Sequence, residues 1–356
     1  MELPMKKTTL GGTDIRRTET SKLKAREFPE YRDVGTIQLL EKLSFGHPLI
    51  LKGPKGAGKT MGVEQWAFGR GLPFLRKSCT GKTSDRHLTG GFVFKSLEES
   101  YFVLGVLSQA IDVANEAGAC VLVLEEINAL DEEAQKVLNS LADFRQEVDI
   151  HHIGRVYRLN GEVLCPGNGE IVSLEPSDEY TTEVAIGIGN EVWVREVPTR
   201  NLSKGLQEGD TVREGVVIAF ACSLWVVGTM NPDYGGTYSL NEDFRSRFQF
   251  VQMDFMPEAD ERAILLDHMP DQSAESKQFV RGLQALSKET RGGKYGYALS
   301  TRDLIQCADS FCRLGDRAQA LKLLEGKFDG RYVADFRARV RSGFRPAIDL
   351  TKVKLL

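Results

Sequence analysis

Gly53-Pro54-Lys55-Gly56-Ala57-Gly58-Lys59-Thr60 is the stretch that decides the fold. It is a full match to the pattern GxxxxGK[ST], placed after a strand-like HPLILKG and before a segment of helical character over residues 60–70. That strand–loop–helix setting is what gives the pattern its meaning. Glycines let successive backbone N–H groups turn inward around phosphate oxygens, and the start of the following helix adds favourable potential for an anion. In such a loop Lys59 reaches the β- and γ-phosphates and the Thr60 hydroxyl ligates Mg²⁺. Met61 completes the expected nucleotide-contacting stretch.

Working outward, TIQLLEKLSFG from Val34 onward reads as a short amphipathic helix, and LPFLRKS after the loop as a second strand. Residues 97–117 carry helical spacing in Leu97, Tyr101, Leu104, Leu107, Ile111 and Ala114. ACVLVLEE is a continuous apolar run of the kind found in strands buried on both faces. EEAQKVLNSLADF follows as a helix with Asp131 as its N-cap. Alternating strands and helices predict an α/β fold with a parallel sheet covered on both faces. Residues 1–28, rich in Lys, Arg and Thr and without periodicity, are expected to form a mobile or extended arm ahead of a core spanning 29–256.

The ACVLVLEE strand ends on Glu125 and Glu126, at the end of a parallel sheet where ligands approach. Glu126 is the candidate for polarising an attacking water, and Glu125 the candidate for holding Mg²⁺ through its water shell. Residues 158–220 interrupt this α/β pattern with eight glycines, several Val-rich segments and no helical period, as a small β-rich insert. Eleven acidic against five basic residues give the insert a charge of −6, so the near-neutral −4 of the 356-residue chain conceals a slightly basic remainder. From Pro257 to the C-terminus the chain turns helical, predicting an α-helical lid over 257–356. A balance of 46 Lys+Arg against 50 Asp+Glu excludes a strongly basic nucleic-acid module. The longest apolar stretch, Val216 to Val227, is shorter than the roughly 20 residues of a membrane span, and no signal peptide is evident, so the expected location is the cytoplasm. The six cysteines are scattered without a CxxC pair and read as buried thiols.

Taken together, the phosphate loop, VLVLEEIN, Gly228-Thr229-Met230-Asn231-Pro232 and Thr301-Arg302 resemble the ordered motif set of the AAA+ ATPases. EEINALDEEAQKVLNSLADF and VVGTMNPDYGGTYSLNEDFRSRF are most similar to the MoxR-like, dynein-related branch. The resemblance covers roughly residues 30–157 and 221–315. It implies a P-loop NTPase core, ATP and Mg²⁺ as ligands, and a homo-oligomeric ring, most often hexameric. It also implies that Asn231 acts as sensor 1 and Arg302 as sensor 2, with Arg247, or else Arg245, as a finger entering the neighbouring subunit's site. Where the family carries Asp-Glu this chain carries Glu125-Glu126, which leaves weak turnover and a nucleotide-gated scaffold as one alternative. Two family insertions have counterparts, HLTGGFVFKSLEE within the second helix and the β-rich segment ahead of sensor 1.

Within the insert, PGNGEIV and GDTVREG resemble fragments of a biotinyl/lipoyl-type domain. Its only lysine, Lys204, lies five residues before Gly209, wrongly placed for a carrier, so a binding or gating platform is the better reading. Trp193 and Tyr180 belong to its core or to a client contact. By resemblance the partner is a protein client, with a von Willebrand factor A-type protein one candidate. A nucleic-acid-associated motor or restriction-type NTPase is the rival that the acidic insert disfavours.

Overall fold

The computed structural model describes residues 5–10, 13–28, 31–33, 35–43, 47–95, 100–142, 146–159, 162–164, 167–176, 181–198, 207–212, 217–219, 223–231, 239–293, 295–344 and 348–354. The chain divides into two units. One comprises residues up to Glu27, Ile37–Lys52 and Thr60–Val251; the other comprises Phe28–Thr36, Gly53–Lys59 and Gln252–Leu356.

The first unit opens with β1 (Met5–Leu10) and β2 (Thr13–Thr18), then α1 (Thr36–Lys42, of which Thr36 falls to the second unit), β3 (Leu49–Lys52), α2 (Lys59–Gly69, from Thr60 on) and β4 (Phe74–Ser78). The next elements are α3 (Asp85–Leu88), β5 (Gly90–Phe94), β6 (Ser100–Leu104), α4 (Val106–Ala117), β7 (Ala119–Glu125) and α5 (Glu132–Ala142). Asp131 caps α5 as predicted, its carboxylate accepting from the Ala134 amide at 2.8 Å. The remaining elements of the unit are β8 (Glu147–Ile150), β9 (Arg155–Arg158), β10 (Glu162–Leu164), β11 (Gly169–Pro176), β12 (Thr181–Ile188), β13 (Glu191–Pro198), β14 (Thr211–Val212), β15 (Val217–Ala219), β16 (Ser223–Met230), α6 (Glu242–Arg247) and β17 (Gln249–Gln252, whose last residue falls to the second unit).

A five-stranded sheet of order β17-β3-β16-β7-β4 forms its centre, with β16 parallel to both β3 and β7, and β4 parallel to β7. Val121–Leu124 of β7 are fully buried, which is why that strand reads as an unbroken apolar run. Trp225 of β16 packs edge-on against Trp66 of α2 at 4.7 Å and donates its indole N–H to the His47 carbonyl at 2.7 Å. The parallel sheet, its helices and the added antiparallel strands agree with the α/β class read from the sequence.

Two local expectations are corrected. Residues 5–18 are not an arm but an antiparallel hairpin, joined through β2 to β6 in a sheet of order β1-β2-β6-β5. The inward positions of β2 are Ile15 and Arg17, both buried, and Arg17 pairs with Asp112 and Glu116 of α4. An inward arginine hides the period-two alternation that would have announced the strand. The helix expected over 97–117 begins only at Val106. Ser100–Leu104 is a strand in which buried Phe102 and Leu104 alternate with Tyr101 and Val103, and Gly105 separates the two elements.

In the insert region β10 pairs with β15, while β13-β12-β11-β14 form an antiparallel sheet. Trp193 is half-buried and stands opposite the buried Ile186, whose other neighbour in register is the buried Ile171. Tyr180 and Lys204 lie outside the described residues.

The second unit is helical: α7 (Glu258–Asp267), α8 (Ala274–Arg291), α9 (Thr301–Leu314), α10 (Arg317–Glu325) and α11 (Gly330–Gly343). Its core gathers Phe279, Leu283, Leu304, Leu321 and Phe336. Ser273, Ser300, Asp316 and Asp329 cap α8 to α11, each accepting from first-turn amides. Of the cysteines, Cys79, Cys120 and Cys307 are buried free thiols and Cys312 is a half-buried one; Cys165 and Cys222 lie outside the described residues. Among the described residues no helix is long and apolar enough to cross a membrane.

Candidate functional site

The phosphate loop leaves β3 at Gly53 and enters α2 at Lys59. Two of its glycines are required by space and backbone. A Cβ on Gly53 would sit 2.3 Å from the Met253 carbonyl oxygen. One on Gly56, where φ is +79°, would meet the Ser300 Cβ at 2.5 Å. Lys59, 8% exposed, donates to the carbonyls of Gly53 and Pro54, both at 2.8 Å. The ammonium is thus held at the loop it would serve. Lys55 and Met61 are exposed, and Ala57 is buried beneath the loop.

Ser300 begins α9 with a reciprocal capping box in which its hydroxyl and the Asp303 carboxylate satisfy each other's amides. Arg302 stands in that first turn, exposed, with no hydrogen bond or ion pair among the described residues. The turn is braced from below: Thr301 donates to buried Glu261 at 2.7 Å, and Arg291 donates to the same carboxylate at 2.6 Å and to the Leu299 carbonyl at 2.9 Å. None of Ser300, Glu261 and Arg291 was singled out from the sequence, although the S-x-x-D spacing of the box was there to read.

At the end of β7 the Thr60 hydroxyl donates to Glu125 Oε1 at 2.9 Å, and Arg76 Nε of β4 lies 3.8 Å from Glu125 Oε2. Glu126 has φ 54° and ψ 47°, a left-handed conformation that costs a residue with a Cβ about 1 kcal/mol or more. Asn231, just past β16, donates through Nδ2 to Glu126 Oε1 at 3.4 Å, and its own carbonyl accepts from Asn128 Nδ2 at 3.2 Å. Parallel pairing of Thr229 with Glu125 sets this arrangement. The structure brings together Thr60 with Glu125, and Glu126 with Asn231. Cys79, whose amide donates to the Glu125 carbonyl at 2.8 Å, has its thiol pushed up to about 12 by burial, with the two glutamates adding to the effect.

Arg245 and Arg247 lie on α6, capped by the Asn241 side chain. Arg247 pairs with Asp243 at 3.1 Å, one turn back. Arg245 is exposed and its guanidinium makes no hydrogen bond or ion pair among the described residues.

The donor set suits Mg²⁺ in kind: a hydroxyl and a carboxylate, hard oxygen donors already 2.9 Å apart, leaving other positions to water and phosphate oxygens. Among the described residues no group of three or more His, Cys, Asp or Glu side chains is placed to hold a metal ion.

The chain is similar to several known proteins. The denitrification regulatory protein NirQ of Stutzerimonas stutzeri is 29% identical over 150 residues, covering 42% of this chain and 50% of its own length. Midasin of Dictyostelium discoideum is 24% identical over 271 residues, 74% of this chain but 4% of Midasin. The chain thus spans about half of NirQ and a small part of Midasin. Among solved structures, NtrX from Brucella abortus in complex with ADP aligns with a TM-score of 0.40 at 12% identity, over 78% of this chain and 47% of NtrX. The family model for the AAA domain of the dynein-related subfamily matches residues 48–248, more than half of the 356, and the chain belongs to that family.

Proposed function

We propose that the chain is a Mg²⁺-dependent ATPase of the MoxR-like type, acting in a homo-oligomeric, hexameric ring and remodelling or activating a protein client. The observation that carries hydrolysis is the Glu126–Asn231 hydrogen bond at 3.4 Å beside the Thr60–Glu125 pair. A carboxylate fixed against a neutral amide can accept a proton from an attacking water while the amide orients it. Lys59 and the loop amides bind the phosphates, Thr60 and Glu125 would hold the metal, and bound Mg²⁺ supplies charge neutralisation of the phosphate oxygens. Arg302, in the first turn of α9 beside Ser300, would meet the nucleotide phosphates, and the closeness of Ser300 to Gly56 supports that role. Arg247 or Arg245 would complete the site of a neighbouring subunit. NirQ is a denitrification regulatory protein, which supports a regulatory role for this chain.

The test is nucleotide binding and affinity capture. Lys59→Ala is expected to abolish ATP binding, and retained binding would sink the reading. Glu126→Gln in ATP is expected to retain a protein client, including any von Willebrand factor A-type partner. Retention of nucleic acid instead, with turnover stimulated by it, would replace the client reading with that of a nucleic-acid motor.

A further inference from the structure

A cleft of about 450 Å³ opens on the first unit, and no residue of the phosphate loop lines it. Its floor is the start of α4, where Gly105 is the N-cap and carries no side chain to satisfy the first-turn amides. Those amides have no intrahelical acceptor by construction, and the helix is long enough to present a favourable potential to an anion. Around this floor stand Arg76 and Lys77 of β4 and Arg86 and His87 of α3, and no carboxylate lines the cleft among the described residues. Arg86 is exposed, and its side chain runs beside Gly91, 3.8 Å from where a Cβ would stand.

Gln109 supplies an independent sign of a missing ligand. It lines the cleft, is only 9% exposed, and its amide makes no hydrogen bond among the described residues. A largely buried amide without a protein partner is free to bond whatever enters the cleft. The groups that share its cleft include the cations Arg76, Lys77 and Arg86 and the helix-start amides, all donors, whereas His87 Nδ1 accepts from the Ser84 amide at 3.2 Å. The partner they have in common is a multivalent acceptor.

We propose that this cleft is a second anion site, separate from the phosphate loop, which binds a multiply charged oxyanion of the phosphate class. Lys77 and Arg86 supply charge, the first-turn amides of α4 supply directed donors, and Gln109 donates through its amide. Arg76 is shared with the catalytic region, because its Nε lies 3.8 Å from Glu125 Oε2. An anion in the cleft therefore competes with Glu125 for the same guanidinium.

The experiment is equilibrium dialysis of the full chain with labelled pyrophosphate, which both sites can accept. Wild type is expected to bind two equivalents per chain, Lys77→Gln/Arg86→Gln one, and Lys59→Ala one. Gln109→Leu, which keeps the charges, is expected to weaken the cleft equivalent by about ten-fold, the effect of losing one hydrogen bond to a charged group. A wild type with one equivalent that Lys59→Ala removes overturns the proposal, as does a double variant that keeps two. A chain whose binding is insensitive to Lys59→Ala but lost in the double variant keeps the cleft and removes the phosphate-loop reading instead. Competition of the cleft equivalent by oligothymidylate assigns the phosphate to a nucleic-acid backbone, and lack of competition assigns it to a free phosphate compound.

Discussion

The Thr60 hydroxyl and the Glu125 carboxylate are joined directly, at 2.9 Å, across the gap between the start of α2 and the end of β7. The family pattern has an aspartate at this position. A glutamate spans the same gap from a backbone one methylene further away. Its length is therefore part of how the candidate metal donors are assembled. Glu125→Asp is expected to break the direct contact and raise the Mg²⁺ concentration needed for half-maximal hydrolysis by about ten-fold, the equivalent of one charge-assisted hydrogen bond. Nucleotide affinity without metal should be unchanged. A Mg²⁺ titration of ATP turnover in both proteins decides it, and coincident curves would show that the extra methylene has no role.

Glu126 combines two properties that substitution can separate. Its carboxylate meets Asn231, and its backbone sits at φ 54°. Glu126→Gln keeps the backbone cost and removes the base, so turnover should fall by about 10²–10⁴ while ATP still binds. Glu126→Gly removes the base as well but relieves the left-handed conformation, so it should be more stable than the Gln variant by about 1 kcal/mol. Equal melting temperatures for the two variants would mean that the conformation is not strained.

How far the sequence reached depends on how local each signal was. The phosphate loop, β7 and Asn231 were all readable because short-range pattern dictates them: a glycine spacing, a doubly buried apolar run, a polar residue after a strand. The β1–β2 hairpin was not, because its inward position is Arg17, neutralised by Asp112 and Glu116 about a hundred residues away. Arg76 was missed for the same reason, since only the β4–β7 pairing places it near Glu125. The start of α4 was misjudged because SYFVL fits helical spacing as well as strand alternation, and Gly105 alone breaks the tie.

The two finger candidates differ in what holds them. Arg247 is tied to Asp243, and Arg245 projects without a partner among the described residues. The sequence reading preferred Arg247, and an ion pair one turn long on an exposed helix costs little to exchange for a phosphate. If one of them acts in trans, as proposed, its replacement by Ala should lower turnover by about 10³–10⁵ with ATP binding intact. Mixing the deficient variant with Lys59→Ala subunits should then restore part of the activity, because intact phosphate loops would meet intact fingers. No recovery from either variant would remove the shared-site arrangement.

The helical unit carries its own pH dependence. Arg337 donates to both oxygens of Glu325, at 2.6 and 2.9 Å, and this pairing, with Lys322 assisting at 3.1 Å, holds the Glu325 carboxyl below the ordinary carboxylate range although burial opposes it. A carboxylate whose pKa is lower in the folded state contributes stability in full above its unfolded value. That contribution is lost as the pH falls through the folded value. The unit should therefore lose stability on the acid side of the usual glutamate range and be insensitive to this group at neutral pH. Glu325→Gln removes the charge at every pH and leaves the Arg337 guanidinium without its counter-charge, at a cost of about 1–3 kcal/mol at neutral pH. Melting temperatures followed from neutral pH into acid should converge for the two proteins as the native carboxylate protonates. Curves that stay parallel would show that Glu325 is not the group that titrates.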